Sequence, residues 1–121
     1  MSNFCLLFVP LLISPVILLD LPNMTSIKLL ATDFEVYGRV QGVFFRKYTQ
    51  QEATKLGLKG WCMNTSSGTV KGVIEGDVNK VADMKRWLQT TGSPQSRIDK
   101  AEFTNERQIN SFTYDSFKIK R

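Results

Sequence analysis

The sequence contains no histidine, and this absence removes several common kinds of catalytic site. Without imidazole there is no serine–histidine or cysteine–histidine nucleophile pair, no phosphohistidine and no histidine ligand for a metal ion. Cysteine is also scarce, because only Cys5 and Cys62 are present, too few for a thiolate metal site. One disulfide is possible in principle, but two separated cysteines favour a reduced, intracellular protein.

Length and net charge limit the number of domains and the kinds of ligand that the protein can bind. The 121 residues support one domain, and 42% hydrophobic residues are ordinary for a packed core. Lysine and arginine number 16 against 11 aspartate and glutamate, which gives a net charge of +5. A basic surface attracts anions from small phosphates to nucleic acid, so the charge alone does not select a ligand.

Residues 1–30 differ in composition from the rest of the chain. Positions 4–21 are almost wholly apolar, but they include two prolines, lack a basic n-region and precede no clear cleavage site. We therefore expect an extension outside the core, followed by the domain at 31–121 in a cytoplasmic protein whose core needs no membrane. A start at Met24, and a membrane or export role for the segment, are the alternatives.

Hydrophobic periodicity and turn residues predict alternating strands and helices. The predicted elements are a strand at 33–40, a helix at 45–56, strands at 58–64 and 69–76, a helix from 78 that ends before Gly92, and strands at 98–104 and 112–120. This order is β-α-β-β-α-β with an extra terminal strand. It predicts an α+β, ferredoxin-like split β-α-β sandwich: an antiparallel sheet of about five strands with both helices on one face.

Two details of the last helix and strand follow from the same patterns. Asp77 is a predicted N-cap, and the helix after it has Val78, Val81, Met84 and Leu88 on its apolar face. In the terminal strand the aromatic residues before position 115 are out of phase with the apolar residues after it. We therefore expect a bulge or bend near Asp115.

The run from Val36 to Arg46 leads from a strand pattern into a helix pattern and contains two glycines. Glycines permit tight turning, so several backbone N–H groups can converge on one anion, and a helix start adds free donors and a positive dipole end. Arg46 offers a charged fork suited to phosphate oxygens. A cysteine-based phosphatase loop is excluded, because Val40 occupies the nucleophile position. A plain tight turn with a solvated arginine is the alternative.

A second motif completes a resemblance to a known family. The run 38–46 matches the first motif of the acylphosphatase family, and Gly60-Trp61-Cys62-Met63-Asn64, followed by Gly68, Val70 and Gly76, matches its second motif. The segment 92–98 also resembles the animal members. The similarity begins near Ala31 and extends to the end of the chain.

The resemblance implies an enzyme that hydrolyses the carboxyl-phosphate bond of small acyl phosphates, without metal or other cofactor, as a monomer. It implies that Arg46 and Asn64 are catalytic, with Asn64 orienting the attacking water. The phosphate-binding residues that it implies are Gly38, Arg39, Val40, Gln41, Gly42, Val43, Phe44 and Arg46. An acyl phosphate has a good leaving group, so this chemistry needs little proton assistance.

Some alternatives stay open at this level. From its residue type alone, Asn64 suits a turn before Thr65-Ser66, and it also begins a glycosylation sequon. A basic ferredoxin-like protein could instead be a non-catalytic anion- or RNA-binding module, although the aromatic stacking pattern of such modules begins at Lys59-Gly60 and then fails. No nucleic acid is expected as a partner. The terminal Arg121 also departs from the aromatic end of many animal acylphosphatases.

Overall fold

A computed structural model of the chain describes residues 28–121, so most of the predicted extension at 1–30 lies outside the described residues. The elements are β1 (Leu29–Arg39), α1 (Phe45–Lys55), β2 (Lys59–Asn64), β3 (Val70–Asp77), α2 (Val78–Thr90), β4 (Arg97–Ile109) and β5 (Phe117–Ile119). Neither helix in this part of the chain is long and apolar enough to cross a membrane.

The five strands form one sheet in the order β4-β1-β3-β2-β5. β1 pairs antiparallel with β3 and β4, and β2 pairs antiparallel with β3, as the ferredoxin-like plan predicts. The terminal strand differs: β5 runs parallel to β2, with Cys62 opposite Ile119. The sheet is therefore mixed and not wholly antiparallel, because β5 is added at the edge opposite the one on which β4 lies.

Both helices pack on one face of this sheet, and a single core joins all the layers. In α1 the buried residues are Phe45, Thr49 and Ala53, and Gly57 follows the helix with φ of 75°. In α2 the Asp77 carboxylate accepts a hydrogen bond from the backbone N–H of Asn79 at 2.9 Å, which confirms the predicted cap. The α2 face buries Val81, Met84 and Leu88, whereas Val78 is 40% exposed. The prediction for Val78 was wrong because the first turn of α2 extends beyond the core.

The segment 110–116 carries the chain across the open face of the sheet, from β4 at one edge to β5 at the other. Its path explains two differences from the predicted strands. The terminal strand begins only at Phe117, after a bend at 115–116. Glu75 alternates with apolar residues in the β3 sequence, a pattern typical of exposure, yet it is 1% exposed because this segment covers it, and its Oε1 accepts backbone N–H bonds from Thr113 at 2.5 Å and Tyr114 at 2.9 Å.

β1 and β4 are both longer than their sequence patterns predict. β1 begins at Leu29, which pairs with Asp77 of β3 and Ile109 of β4. β4 continues to Ile109 although most of its outer half is exposed. Pairing with a central neighbour satisfies the backbone of an edge strand even where no apolar alternation marks it. The division of the chain at residue 30 stays a prediction.

Candidate active site

Residues 40–44 form the loop between β1 and α1, called here the cradle. Their backbone conformation is the one expected of an anion-binding loop. Gly42 and Phe44 have φ of 76° and 61°, and Phe44 precedes the first turn of α1 without a side-chain cap. No backbone N–H group from Gln41 to Lys47 donates to an acceptor within residues 28–121. Backbone N–H groups that donate to no protein acceptor, at the positive end of a helix dipole, form a suitable binding site for a phosphate.

The two glycines of this run serve different purposes. Gly38 lies in β1 against β4, where a Cβ atom would come within 2.1 Å of the Arg97 carbonyl oxygen. Gly42 has open space around it, so its positive φ is what favours glycine there. Gly38 and the exposed Arg39 are thus strand residues beside the loop, and their part in binding phosphate stays a prediction.

A cavity of about 600 Å³ opens beside the cradle and takes in Arg46. Its lining brings together four of the predicted site residues, Val40, Gly42, Phe44 and Arg46. Arg46 is the second residue of α1 and is half-buried, and it forms no ion pair with any acid in the described part of the chain. Its guanidinium is therefore available for an external anion. Val43 is buried, so only its backbone can contact such an anion.

Asn64 ends β2, opposite Val70 in the hairpin. Its Oδ1 is buried and has no hydrogen-bond partner in residues 28–121. A buried carbonyl oxygen without a partner is costly, and one water molecule would satisfy it. The partnerless oxygen also argues against the simple turn role, because an asparagine that stabilises a turn bonds to its own backbone. Asn64 does not line the cavity that contains Arg46.

Gln41 connects the cradle to the hairpin that carries Asn64. Its Nε2 donates to the carbonyl oxygens of Thr65 and Thr69, both at 2.9 Å. The two threonine hydroxyls lie 2.6 Å apart, and the Thr69 hydroxyl donates to the Glu35 carboxylate at 2.6 Å. These contacts brace the residue after Asn64 from two sides. Sequence reasoning missed Glu35, Thr65 and Thr69, because Glu35 and Thr69 showed only strand alternation and Thr65 only a turn-forming composition.

Replacing Gln41 with alanine is expected to lower kcat by about 10- to 100-fold, because the loop and the hairpin would lose the bonds that hold their separation. Steady-state kinetics with benzoyl phosphate would measure the change. Gln51→Ala, on an exposed position of α1, is the matched control and should keep normal kcat. A Gln41→Ala protein with unchanged kcat would show that the hairpin is held by other contacts.

Cys62 is a packing residue and not a nucleophile. It is fully buried in β2, and burial raises the pKa of its thiol to about 12, although the positive charge of Arg46 acts in the opposite direction. A thiol with this pKa is almost wholly protonated near neutral pH. Its Sγ lies 4.0 Å from the Arg46 carbonyl oxygen, so β2 and the first turn of α1 are in direct contact.

Comparisons with known proteins agree with this geometry. The family model described as Acylphosphatase matches residues 32–119. The chain is 55% identical to Acylphosphatase-1 of Gallus gallus over 93 residues, covering 77% of this chain and 94% of the relative. It is 51% identical to Acylphosphatase-2 of Homo sapiens over 96 residues, covering 79% and 97% of the two chains.

A solved structure shows the same fold. The crystal structure of acylphosphatase from Bacillus subtilis superimposes with a TM-score of 0.70 at 34% identity, and the similarity covers 76% of this chain and 99% of that one. The alternative of a non-catalytic RNA-binding module is not favoured by these similarities. The chain therefore belongs to the acylphosphatase family and is a hydrolase that acts on acyl phosphates.

Proposed function

We propose that residues 38–44 and Arg46 hold the phosphate of a small acyl phosphate, while Asn64 directs a water molecule at its phosphorus. The observation that carries this proposal is the buried Oδ1 of Asn64, which has no hydrogen-bond partner in residues 28–121 and belongs to the hairpin that Gln41 connects to the loop. The acceptor can orient a water, and the loop N–H groups can bind the phosphoryl oxygens.

The step needs no protein nucleophile. The water oxygen forms a bond to phosphorus, and the bond between phosphorus and the carboxyl oxygen breaks, so the carboxylate leaves with the electron pair. The proton lost by the water passes to a phosphoryl oxygen or to solvent. Charge on the phosphoryl oxygens is met by the loop N–H groups and the guanidinium, and the carboxylate leaves without a general acid. The atoms and electrons of this hydrolysis step balance without a cofactor.

Isotope labelling tests the proposed direction of attack. Hydrolysis of benzoyl phosphate in H₂¹⁸O, run with a chelator, should place the label in inorganic phosphate and none in benzoate. Mass spectrometry of both products gives the answer after a single turnover. Label in benzoate would show attack on the carbonyl carbon, and activity lost to the chelator would show that a metal ion takes part. Either result would contradict the proposal.

We also propose that the protein acts as a monomer in the cytoplasm. The Cys62 thiol is buried and forms no disulfide within residues 28–121, which fits a reducing compartment. Asn64 is the first residue of a glycosylation sequon, so a glycan added in the secretory route would occupy the site that holds the water. Sedimentation of the full chain and the intact mass of protein from its own cells test these points. A dimer at working concentration, or a glycan on Asn64, would overturn them.

A further inference from the structure

Phe44 combines two features that are unfavourable for a bulky apolar residue. Its side chain is 70% exposed, the most exposed of the large hydrophobic residues in 28–121. Its backbone has φ of 61°, a left-handed conformation that bulky residues rarely adopt. Exposed apolar residues are common singly, but an exposed aromatic held on a strained backbone beside a binding loop indicates a functional contact.

Phe44 borders two cavities, and one of them is the cavity that contains Arg46. Phe44 and Arg46 line the same cavity, and they are separated by a single residue of the first turn of α1. The lining also includes Ile119 of β5 and the buried Phe45, together with the polar residues Lys47, Gln50 and Arg121, so apolar atoms form part of the wall beside the guanidinium. The volume of about 600 Å³ is within the range of small-molecule sites and exceeds what a phosphate ion alone would fill.

We propose that Phe44, with Ile119, forms the subsite for the acyl group and selects acyl phosphates with apolar, above all aromatic, acyl groups. This inference rests on the proposed phosphate site at Arg46. Once the phosphate is held there, the acyl carbon is one oxygen away, so a ring within this cavity contacts the substituent on that carbon. The contact removes apolar surface from water on both sides, and an aromatic acyl group can also stack on the ring.

The left-handed backbone of Phe44 supports this role. Phe45, the next residue, is buried in the core with 1% exposure. The two adjacent aromatic side chains therefore lie in different environments, Phe45 in the core and Phe44 exposed at the border of the cavity. The positive φ of Phe44 is a strained conformation that is retained although the side chain gains no burial.

Two substitutions separate the ring from the backbone conformation. Phe44→Asn removes the ring but tolerates a positive φ, whereas Phe44→Tyr keeps an aromatic ring and is the matched control. For each protein, kcat/KM is measured with benzoyl phosphate and with acetyl phosphate, and the ratio of the two is compared with that of the unmodified protein. Comparing ratios cancels the different leaving-group chemistry of benzoate and acetate.

The ratio of benzoyl to acetyl phosphate is expected to fall about tenfold in Phe44→Asn and to change less than about twofold in Phe44→Tyr. An unchanged ratio in Phe44→Asn, or an equal fall in both variants, would overturn the inference. The inhibition constant of inorganic phosphate identifies damage to the cradle, because phosphate has no acyl group. If the unmodified protein hydrolyses both substrates while Arg46→Gln is also active, the proposed phosphate site fails first and separately.

Discussion

Replacing Arg46 with glutamine is expected to lower kcat/KM for benzoyl phosphate by at least about 10²- to 10³-fold. Glutamine keeps polar atoms and much of the length, but it has no charge and no planar fork of donors. Because the guanidinium has no ion-pair partner in residues 28–121, its loss frees no acid that could disturb the fold. Inhibition by inorganic phosphate should weaken together with turnover.

The control for Arg46→Gln is Lys55→Gln at the other end of the same helix. Lys55 is exposed in the last turn of α1, so its replacement makes the same change in net charge far from the cradle. This variant should retain nearly full activity, which separates a local contact from general attraction of anions. A fall of less than about tenfold in Arg46→Gln is too small for a group that binds the transferred phosphate.

Asn64→Ala should reduce kcat by about 10²- to 10³-fold while the inhibition constant of inorganic phosphate stays nearly the same. The substitution removes the unpartnered Oδ1 and leaves the loop donors and Arg46 in place. If Asn64 acts only on the attacking water, ground-state binding of phosphate does not depend on it. Kinetic measurements on both parameters therefore distinguish the role of Asn64 from that of Arg46.

Asn79→Ala is the matched control, because Asn79 is an exposed asparagine in the first turn of α2. It should retain the activity of the unmodified protein. If Asn64→Ala weakens phosphate binding as much as it slows turnover, then Asn64 shapes the cradle and does not position water. If it leaves kcat intact, the unpartnered oxygen has no part in the chemistry.

Local patterns were sufficient for the elements whose signal lies within a few residues. The amphipathic spacing of α1, the Asp77 cap and the turn before β3 were all predictable from sequence, because each depends on contacts between near neighbours. The ferredoxin-like plan followed from their order. The direction of β5 could not be predicted, because one short strand fits either edge pairing until the path of 110–116 is known.

The segment 110–116 also decided which side chains are buried on the sheet face that the helices leave uncovered. Glu75 alternates with buried residues of β3, so its pattern predicts exposure, yet the backbone N–H groups of Thr113 and Tyr114 cover it. Val78 shows the opposite effect at the start of α2, where an apolar residue lies beyond the end of the core. In both cases burial depends on residues that are distant in sequence, so the periodicity of the element cannot predict it.

The sequence by itself determined the chemistry available to this protein: no imidazole, no thiolate site, one run suited to phosphate and a second motif that ends at Asn64. Only the tertiary structure decided how these parts are arranged. It joined loop and hairpin through Gln41, left the Asn64 oxygen without a partner in residues 28–121, and placed Phe44 and Arg46 on the wall of one cavity. Such relations depend on contacts between residues far apart in the chain, whereas residue type and spacing record only what each segment can do alone.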